Sequence, residues 1–399
     1  MRRQREKFIE YVDPVYLNII LTVILLCGFG LVMIFSTTAY TCAQEEMYDF
    51  ESSYLMRRQA IFIFIGFIGI FIFQYINVGY LVNEMAAVLY VLGILMIFLL
   101  VPFGVSSHGA TRWIEIVGIR FQVAEVVKFC VIAFLAYMVR RYSKYLSSVK
   151  LTIYLWVLGG GIPAVLILKI SNNLSSAIII LIITYGITVL NMRTWKLHLF
   201  AFVLVVMIAV LYVWSVASDL PEPTELENMS FRIGRIAAWL EPEIYKNDQS
   251  YQTLNGLYAI GRGGWFGVGL GKSIQKLSIP EPETDMVFAI ICEEMGIIGG
   301  GVVIFLFVYL SFQVMKVAIC AVDINLFEAV FSEGVLLHIA SQAFINIAVV
   351  TNTIPNTGIP LPFISYGGTS VFILLVEIGI VVSISQKYVR AKCGGYVSK

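Results

Sequence analysis

Charge is what this chain has least of. Asp, Glu, Lys and Arg make up 13% of its 399 residues, about half the share of a soluble domain. With 59% hydrophobic residues and a mean hydropathy of +0.86, the chain cannot shield a core behind a charged surface. The net charge of +1 gives no global basic surface for nucleic acid. Histidine is scarce, and His108, His198 and His338 are scattered, so there is no zinc motif. The six cysteines (Cys27, Cys42, Cys130, Cys292, Cys320, Cys393) show no paired spacing, and most fall in or beside apolar segments. They read as small hydrophobes, not as a disulfide or metal framework. The first apolar segment lacks a small-residue cleavage site and is long, so it reads as a retained span. Short alternating segments of the β-barrel kind are missing as well.

What the chain does have is apolar runs near or above spanning length. The expected fold is an all-α polytopic membrane protein of about ten helices, at about 15–36, 60–76, 82–103, 121–140, 151–170, 174–190, 198–216, 285–315, 328–354 and 370–385. Basic residues concentrate in the two tails, 1–13 and 386–399, and in the loops after spans four and six. That bias predicts cytoplasmic N- and C-termini, with Arg57 and Arg58 as a local exception. The segment 217–284 then becomes a long extracytoplasmic loop between spans seven and eight, and 1–399 a single integral membrane domain.

The stretch Leu277–Gly300, LSIPEPETDMVFAIICEEMGIIGG, opens polar and ends apolar. Pro280 and Pro282 hold an extended approach. Thr284 reads as an N-cap with Asp285 in the first helical turn, and Glu293 and Glu294 lie about two turns below. Asp285 is either a helix N-terminal acid or a working carboxylate at the membrane surface. Glu125 and Lys128 share a helix face, as an ion pair or as the charged wall of an intramembrane cavity, and Arg112 stands just upstream. Phe231–Pro242 has helical apolar spacing, with Arg232 and Arg235 on a more polar side, and predicts a short helix on the membrane surface. The Gly-rich run from Ala259 ends Gly271-Lys272-Ser273. Phe266 occupies the position where a P-loop needs glycine, which removes a nucleotide site; close backbone packing and phosphate binding stay open. Asn172, Asn173, Ser175 and Ser176 open span six as caps or interhelical donors. Asn346–Ser370 is dense in Pro and Gly and predicts a folded outer loop whose backbone lines a cavity. Glu333 and Glu377 are expected to face the bundle or a tail.

PLPFISYGGTS at Pro360–Ser370 resembles the hallmark of the SEDS family (shape, elongation, division and sporulation; FtsW, RodA and SpoVE). Three further segments resemble that family in order: GATRWIEIVGIRFQVAEVVK, FRIGRIAAWLEP with Tyr251-Gln252, and AIGRGGWFGVGLGKSIQKLSIPEPETDMVFAIICEEMG. Departures are Glu283 where the family usually has His, Val123-Ala124 for Pro-Ser, Cys292 for Gly, and Asn173 for an Asp.

The resemblance implies a peptidoglycan glycosyltransferase that polymerises lipid II beside a class B penicillin-binding protein, in the bacterial cytoplasmic (inner) membrane. It places the family's catalytic Asp on Asp285, its Glu and Lys on Glu125 and Lys128, and its Arg on Arg112. Asp285 would be the general base. Arg112, Lys128, Arg232, Arg235 and Lys272 are cations available to the leaving diphosphate, and Ser365 and Tyr366 of the SYGG turn join the expected substrate site with Glu125. A divalent cation, Mg2+ or Mn2+, could share the charge, held largely by substrate phosphates because there is no dedicated metal cage. Competing classes are a lipid II flippase and a non-catalytic scaffold that activates a penicillin-binding protein.

Overall fold

The computed structural model describes residues 15–397 apart from 49, 108–109, 117–118, 221–230, 247–249 and 323. The basic tail 1–13 and the acids Glu222, Glu225 and Glu227 lie outside the described residues. Among the described residues, nine helices are long and apolar enough to cross a membrane. They are α1 (Val15–Gln44), α2 (Tyr54–Phe73), α3 (Val78–Phe103), α5 (Val149–Ile170), α6 (Leu174–Asn191), α7 (Trp195–Ala217), α10 (Val287–Ala321), α11 (Leu326–Val350) and α12 (Gly368–Val397). The predicted fourth span is α4 (Val123–Arg141), 19 residues carrying Glu125, Lys128, Arg140 and Arg141. Its hydropathy is low because it sits at the centre, packed on α3, α6 and α11, where neighbours rather than lipid meet its side chains. One contiguous apolar core runs from α1 to α12. By contrast α7 is 6% buried, so lipid is its main neighbour.

Residues 104–122 add one small sheet to a mostly helical fold. They form a three-stranded antiparallel sheet, β1 (Gly104–Ser107), β2 (Ala110–Ile116) and β3 (Ile119–Gln122). The β1–β2 register slips between Val105 and Ser106, which pair with Trp113 and Thr111. Arg112 is therefore the bulged residue, a position that re-aims a side chain. Thr369 Oγ1 donates to Arg120 O at 3.1 Å and Ser370 Oγ to Gln122 Oε1 at 3.0 Å, tying β3 to the start of α12.

Two helices depart from regular α geometry. In α5, Gly159–Gly161 precede Pro163, and the turns over Leu155–Gly161 widen into a π-helix. Proline cannot donate to the preceding turn, so a wide turn there loses little. In α10, Gly296 (φ 71°, ψ −174°) breaks the helix. The open backbone groups are met by the Gly-rich loop: Val268 N donates to Glu293 O (2.9 Å), Gly269 N to Glu294 O (3.0 Å), Ile297 N to Gly264 O (2.9 Å) and Ile298 N to Trp265 O (3.3 Å). The approach requires glycine, since a Cβ at Gly263 or Gly267 would overlap the Cys292 or Glu294 carbonyl. Of the two roles left open for this run, the loop fills the close-packing one. Its first part is helical, closing α9 (Tyr251–Gly263).

The acids of the same segment hold this loop. Glu293 pairs with Arg262 Nη1 at 2.7 Å and accepts from Ser273 Oγ and Ile274 N. Glu294 accepts from Ser36 Oγ of α1 at 2.7 Å and lies 3.4 Å from Lys276 Nζ. Other acids in the bundle are also partnered: Glu333 with Asn191 (2.6 Å), Glu377 with His338 (2.9 Å) and Glu328 with Lys387 (2.7 Å).

Candidate active site ahead of helix α10

Pro280, Pro282 and a left-handed Glu281 (φ 45°) keep this approach out of helix. Thr284 is not the N-cap. Its Oγ1 donates back to Glu281 O at 2.8 Å, and the helix starts at Val287 behind Met286. The proline-rich turn takes up the positions that the helix would have used, and Asp285 lies before the first turn.

Asp285 is half-buried, and four segments meet on it. Gln252 Nε2, in the first turn of α9, donates to its Oδ1 at 2.9 Å, with Thr284 Oγ1 at 3.3 Å. Asn346 Nδ2 of α11 donates to its backbone carbonyl at 2.8 Å and to Ile359 O at 2.7 Å. From the 351–367 loop, Asn356 Nδ2 donates to Gln252 Oε1 at 3.1 Å. Oδ2 lies beside Gly358, 3.7 Å from where a Cβ there would sit. The short helix α8 (Phe231–Leu240) supplies Arg235, whose Nη1 donates to Asn356 O at 3.1 Å, and Trp239, whose Nε1 donates to Asn352 O at 3.0 Å. Helix α8 thus braces the outer loop and turns Arg235 inward.

Electrostatics tie these groups together. Burial pushes the Asp285 carboxyl up to about 6, against the pull of its own backbone N–H, Thr284, Gln252 and the Arg235 charge. Burial also lifts Glu283 to about 7, with the charges of Glu281, Asp285 and Glu45 adding to the rise. Arg235 is lowered by burial first and then by the like charge of Arg112, while Asp285 pulls it back up. Arg112 is lowered by burial, and its Nε is buried without a partner among the described residues. Two guanidiniums and a carboxylate thus feel one another at the lip of the bundle.

The other expected residues lie elsewhere. Glu125 and Lys128 form a buried pair (2.7 Å, 3% and 1% exposed) deeper in the bundle. Lys128 Nζ reaches Gln342 Oε1 at 3.3 Å, and Gln342 Nε2 donates to Pro360 O at 3.2 Å, so the pair supports the outer loop from below. Of the two readings of this pair, the ion pair is the one its geometry describes. His338 Nε2 lies 3.8 Å from Glu125 Oε2, a neighbour that sequence spacing did not indicate. Lys272 is exposed on the Gly-rich loop, which is anchored at Glu293 and Glu294 rather than at Asp285. Ser365 is 3% exposed and its Oγ accepts from Leu361 N at 2.7 Å. Tyr366 N donates to Glu283 O at 2.8 Å, and its ring packs on the Ile34, Cys42 and Leu55 cluster. Arg232 belongs to α8, but its side chain lies outside what is described. Asn173 caps α6, accepting from Ser176 N at 3.0 Å. Among the described residues there is no group of three or more His, Cys, Asp or Glu placed to hold a metal.

Sequence reasoning missed Gln252, Asn346 and Asn356. The signal for Gln252 was present as the Tyr251-Gln252 pair. The two asparagines are neutral and sit in or beside an apolar helix, so only their contacts reveal them.

The chain is similar to known proteins over nearly its whole length. The Cell cycle protein family model, covering FtsW, RodA and SpoVE, matches residues 16–389. Stage V sporulation protein E of Bacillus subtilis (strain 168) is 31% identical over 377 residues, covering 94% of this chain and 97% of its own. A probable peptidoglycan glycosyltransferase FtsW of Geobacter sp. (strain M18) is 30% identical over 373 residues, covering 92% and 96%. In fold, the chain resembles a chain from a solved peptidoglycan synthase complex, with a TM-score of 0.70 at 20% identity over 93% of this chain and 97% of that one. It also resembles the rod shape determining protein RodA of Thermus thermophilus, with a TM-score of 0.62 at 19% identity over 92% and 96%. By sequence, fold and ordered motifs, this chain belongs to the FtsW, RodA and SpoVE family of multi-pass membrane proteins.

Proposed function

We propose that the chain is a peptidoglycan glycosyltransferase that joins lipid II into glycan strands, with Asp285 as general base. The observation that carries this is the half-buried Asp285 carboxylate, raised to about 6 within the field of the Arg235 guanidinium, which in turn feels Arg112. A base with that pKa is mostly ionised at neutral pH and still basic enough to help an alcohol attack. The acceptor hydroxyl gives its proton to Asp285 as its oxygen attacks the anomeric carbon. The lipid diphosphate leaves from the opposite face, so the anomeric centre inverts and no covalent enzyme intermediate forms. Arg112 and Arg235 neutralise the departing charge. Lys128 and Glu125 act from below by holding Gln342 and the outer loop. Ser365 and Tyr366 shape that loop beneath the substrate, and Lys272, exposed on the Gly-rich loop, offers a further cation. A divalent cation, Mg2+ or Mn2+, would be held mainly by substrate phosphates near Asp285 and Glu283, and would add neutralising charge.

The reading includes cytoplasmic termini in a bacterial inner membrane, the 217–284 segment outside, and a class B penicillin-binding partner that crosslinks the strands. A neighbour in fold comes from a peptidoglycan synthase complex, which supports the partner. Strand synthesis from purified lipid II, with a partner whose transpeptidase is blocked, tests the activity. Polymer that disappears with Asp285→Asn is the expected result. Equal polymer from the variant would remove Asp285 from the chemistry. Bound lipid II with no polymer under any condition would favour flipping or scaffolding.

A further inference from the structure

The two oxygens of Asp285 stand in different surroundings. Oδ1 accepts from Gln252 Nε2 at 2.9 Å and from Thr284 Oγ1 at 3.3 Å. Oδ2 makes no side-chain hydrogen bond among the described residues, and it lies beside Gly358, which has no side chain to cover it. Gly358 has φ +65°, a conformation that L side chains rarely adopt, so the backbone itself disfavours a side chain over Oδ2.

Gln252 is itself held. Asn356 Nδ2 donates to Gln252 Oε1 at 3.1 Å, which leaves the Nε2 amine as the end facing Asp285. Asn356 is fixed in turn by Gly358 N donating to its Oδ1 at 3.0 Å and by Arg235 donating to its carbonyl at 3.1 Å. At the other end, Ser250 Oγ donates to Ala238 O at 3.0 Å and roots the start of α9 on α8. An amide could present oxygen or nitrogen to Asp285, and oxygen would face the carboxylate with a repelling lone pair. The Asn356 contact decides the orientation.

We propose that Gln252, oriented by Asn356, is a positioning residue that pins Oδ1 and thereby makes Oδ2 the oxygen that receives the acceptor's proton. This rests on Asp285 being the general base. Two effects follow from the one contact. The Gln252 contact holds the carboxylate's rotamer, so Oδ2 stays on the Gly358 side. The N–H donor also favours the ionised form and keeps the base from being protonated at working pH. The charged groups that face Asp285 are Arg235 from α8, with Arg112 of β2 behind it, and Glu283 and Glu281 from its own segment. None of them contacts Oδ1, so they set the field but not the rotamer.

The test is the pH profile of strand synthesis by the full chain with its transpeptidase-blocked partner, for wild type, Asp285→Asn, Gln252→Leu, Gln252→Glu and Asn356→Leu. Gln252→Leu removes a donor to the charged form, so the acidic limb moves up by about one pH unit. On the plateau above the limb the rate stays down about tenfold, because orientation is lost. Gln252→Glu sets a like charge against Asp285 and moves the limb further up. Asn356→Leu leaves the donor in place but free to turn, and gives a smaller shift of the same sign. Lipid II binding and a monodisperse detergent profile show that each variant is folded.

Variants that are folded and slow but keep the wild-type limb would overturn the proposal, because a role confined to packing changes the rate without changing the pKa. The same conclusion follows if Gln252→Leu matches wild type throughout. If Asp285→Asn itself retains polymerisation, the reading of Asp285 as base fails first, and the Gln252 results are then read as structural. If Gln252→Leu does not fold, Asn356→Leu and Gln252→Glu carry the same test of sign.

Discussion

Asp285→Asn keeps the size of the side chain and an oxygen for Gln252, but takes away the proposed proton acceptor. Strand synthesis is expected to fall by about a hundredfold or more, measured from lipid II in single-turnover assays. In the parent, kcat/KM should fall as pH drops through about 6, because the protonated carboxyl accepts nothing. Glu283 is the higher of the two acids, at about 7, and is mostly neutral where Asp285 titrates. Glu283→Gln should therefore keep that limb nearly in place and remove any second inflection near 7, readable in the same profile. At this scale the sequence was partly legible. Asp285, Arg112 and Arg235 stood out because charge is rare in an apolar chain. Asn346 and Asn356 did not, since a neutral amide has no composition signal until its partners are known, and Gln252 showed only through the Tyr251-Gln252 pair.

Among the elements, α4 is a helix whose charges the bundle must accommodate. Glu125 and Lys128 are 3% and 1% exposed, so each depends on the other. Lys128→Met strands a buried carboxylate and should cost about 3–5 kcal/mol, whereas Lys128→Met with Glu125→Leu should recover most of that loss. Thermal unfolding of the four corners of this cycle in detergent checks the sign and size of the coupling. Helix α10 makes a different demand. Gly296→Ala would force an L side chain to φ 71° and into the Trp265 carbonyl, and should cost about 1–3 kcal/mol or more, seen as a lowered Tm. Hydropathy located nearly all the spanning helices, because lipid selects long apolar runs. It could not locate the break in α10 or the sheet over residues 104–122. Both depend on backbone groups finding partners distant in sequence. The start of α10 was misplaced for a related reason: Thr284 has the composition of a cap, but its hydroxyl is already used in the proline turn.

For the whole molecule, orientation in the membrane is the property to test. The orientation proposed from the positive-inside bias has the Gly-rich loop outside and the loop after α4 inside. Lys272 and Lys144 are both exposed and suit a labelling test. An impermeant maleimide should label Lys272→Cys in intact cells, and Lys144→Cys only after permeabilisation, each compared with the parent's native cysteines. The reverse pattern would invert the molecule and place Asp285 on the wrong side for strand synthesis. The break in α10 carries a consequence for biosynthesis. The residues that fill it, Gly264 to Gly269, are made before the helix that needs them. When α10 emerges from the ribosome, its complement has already been made, so the open N–H and C=O groups around Gly296 need not wait in lipid for a partner still to be translated.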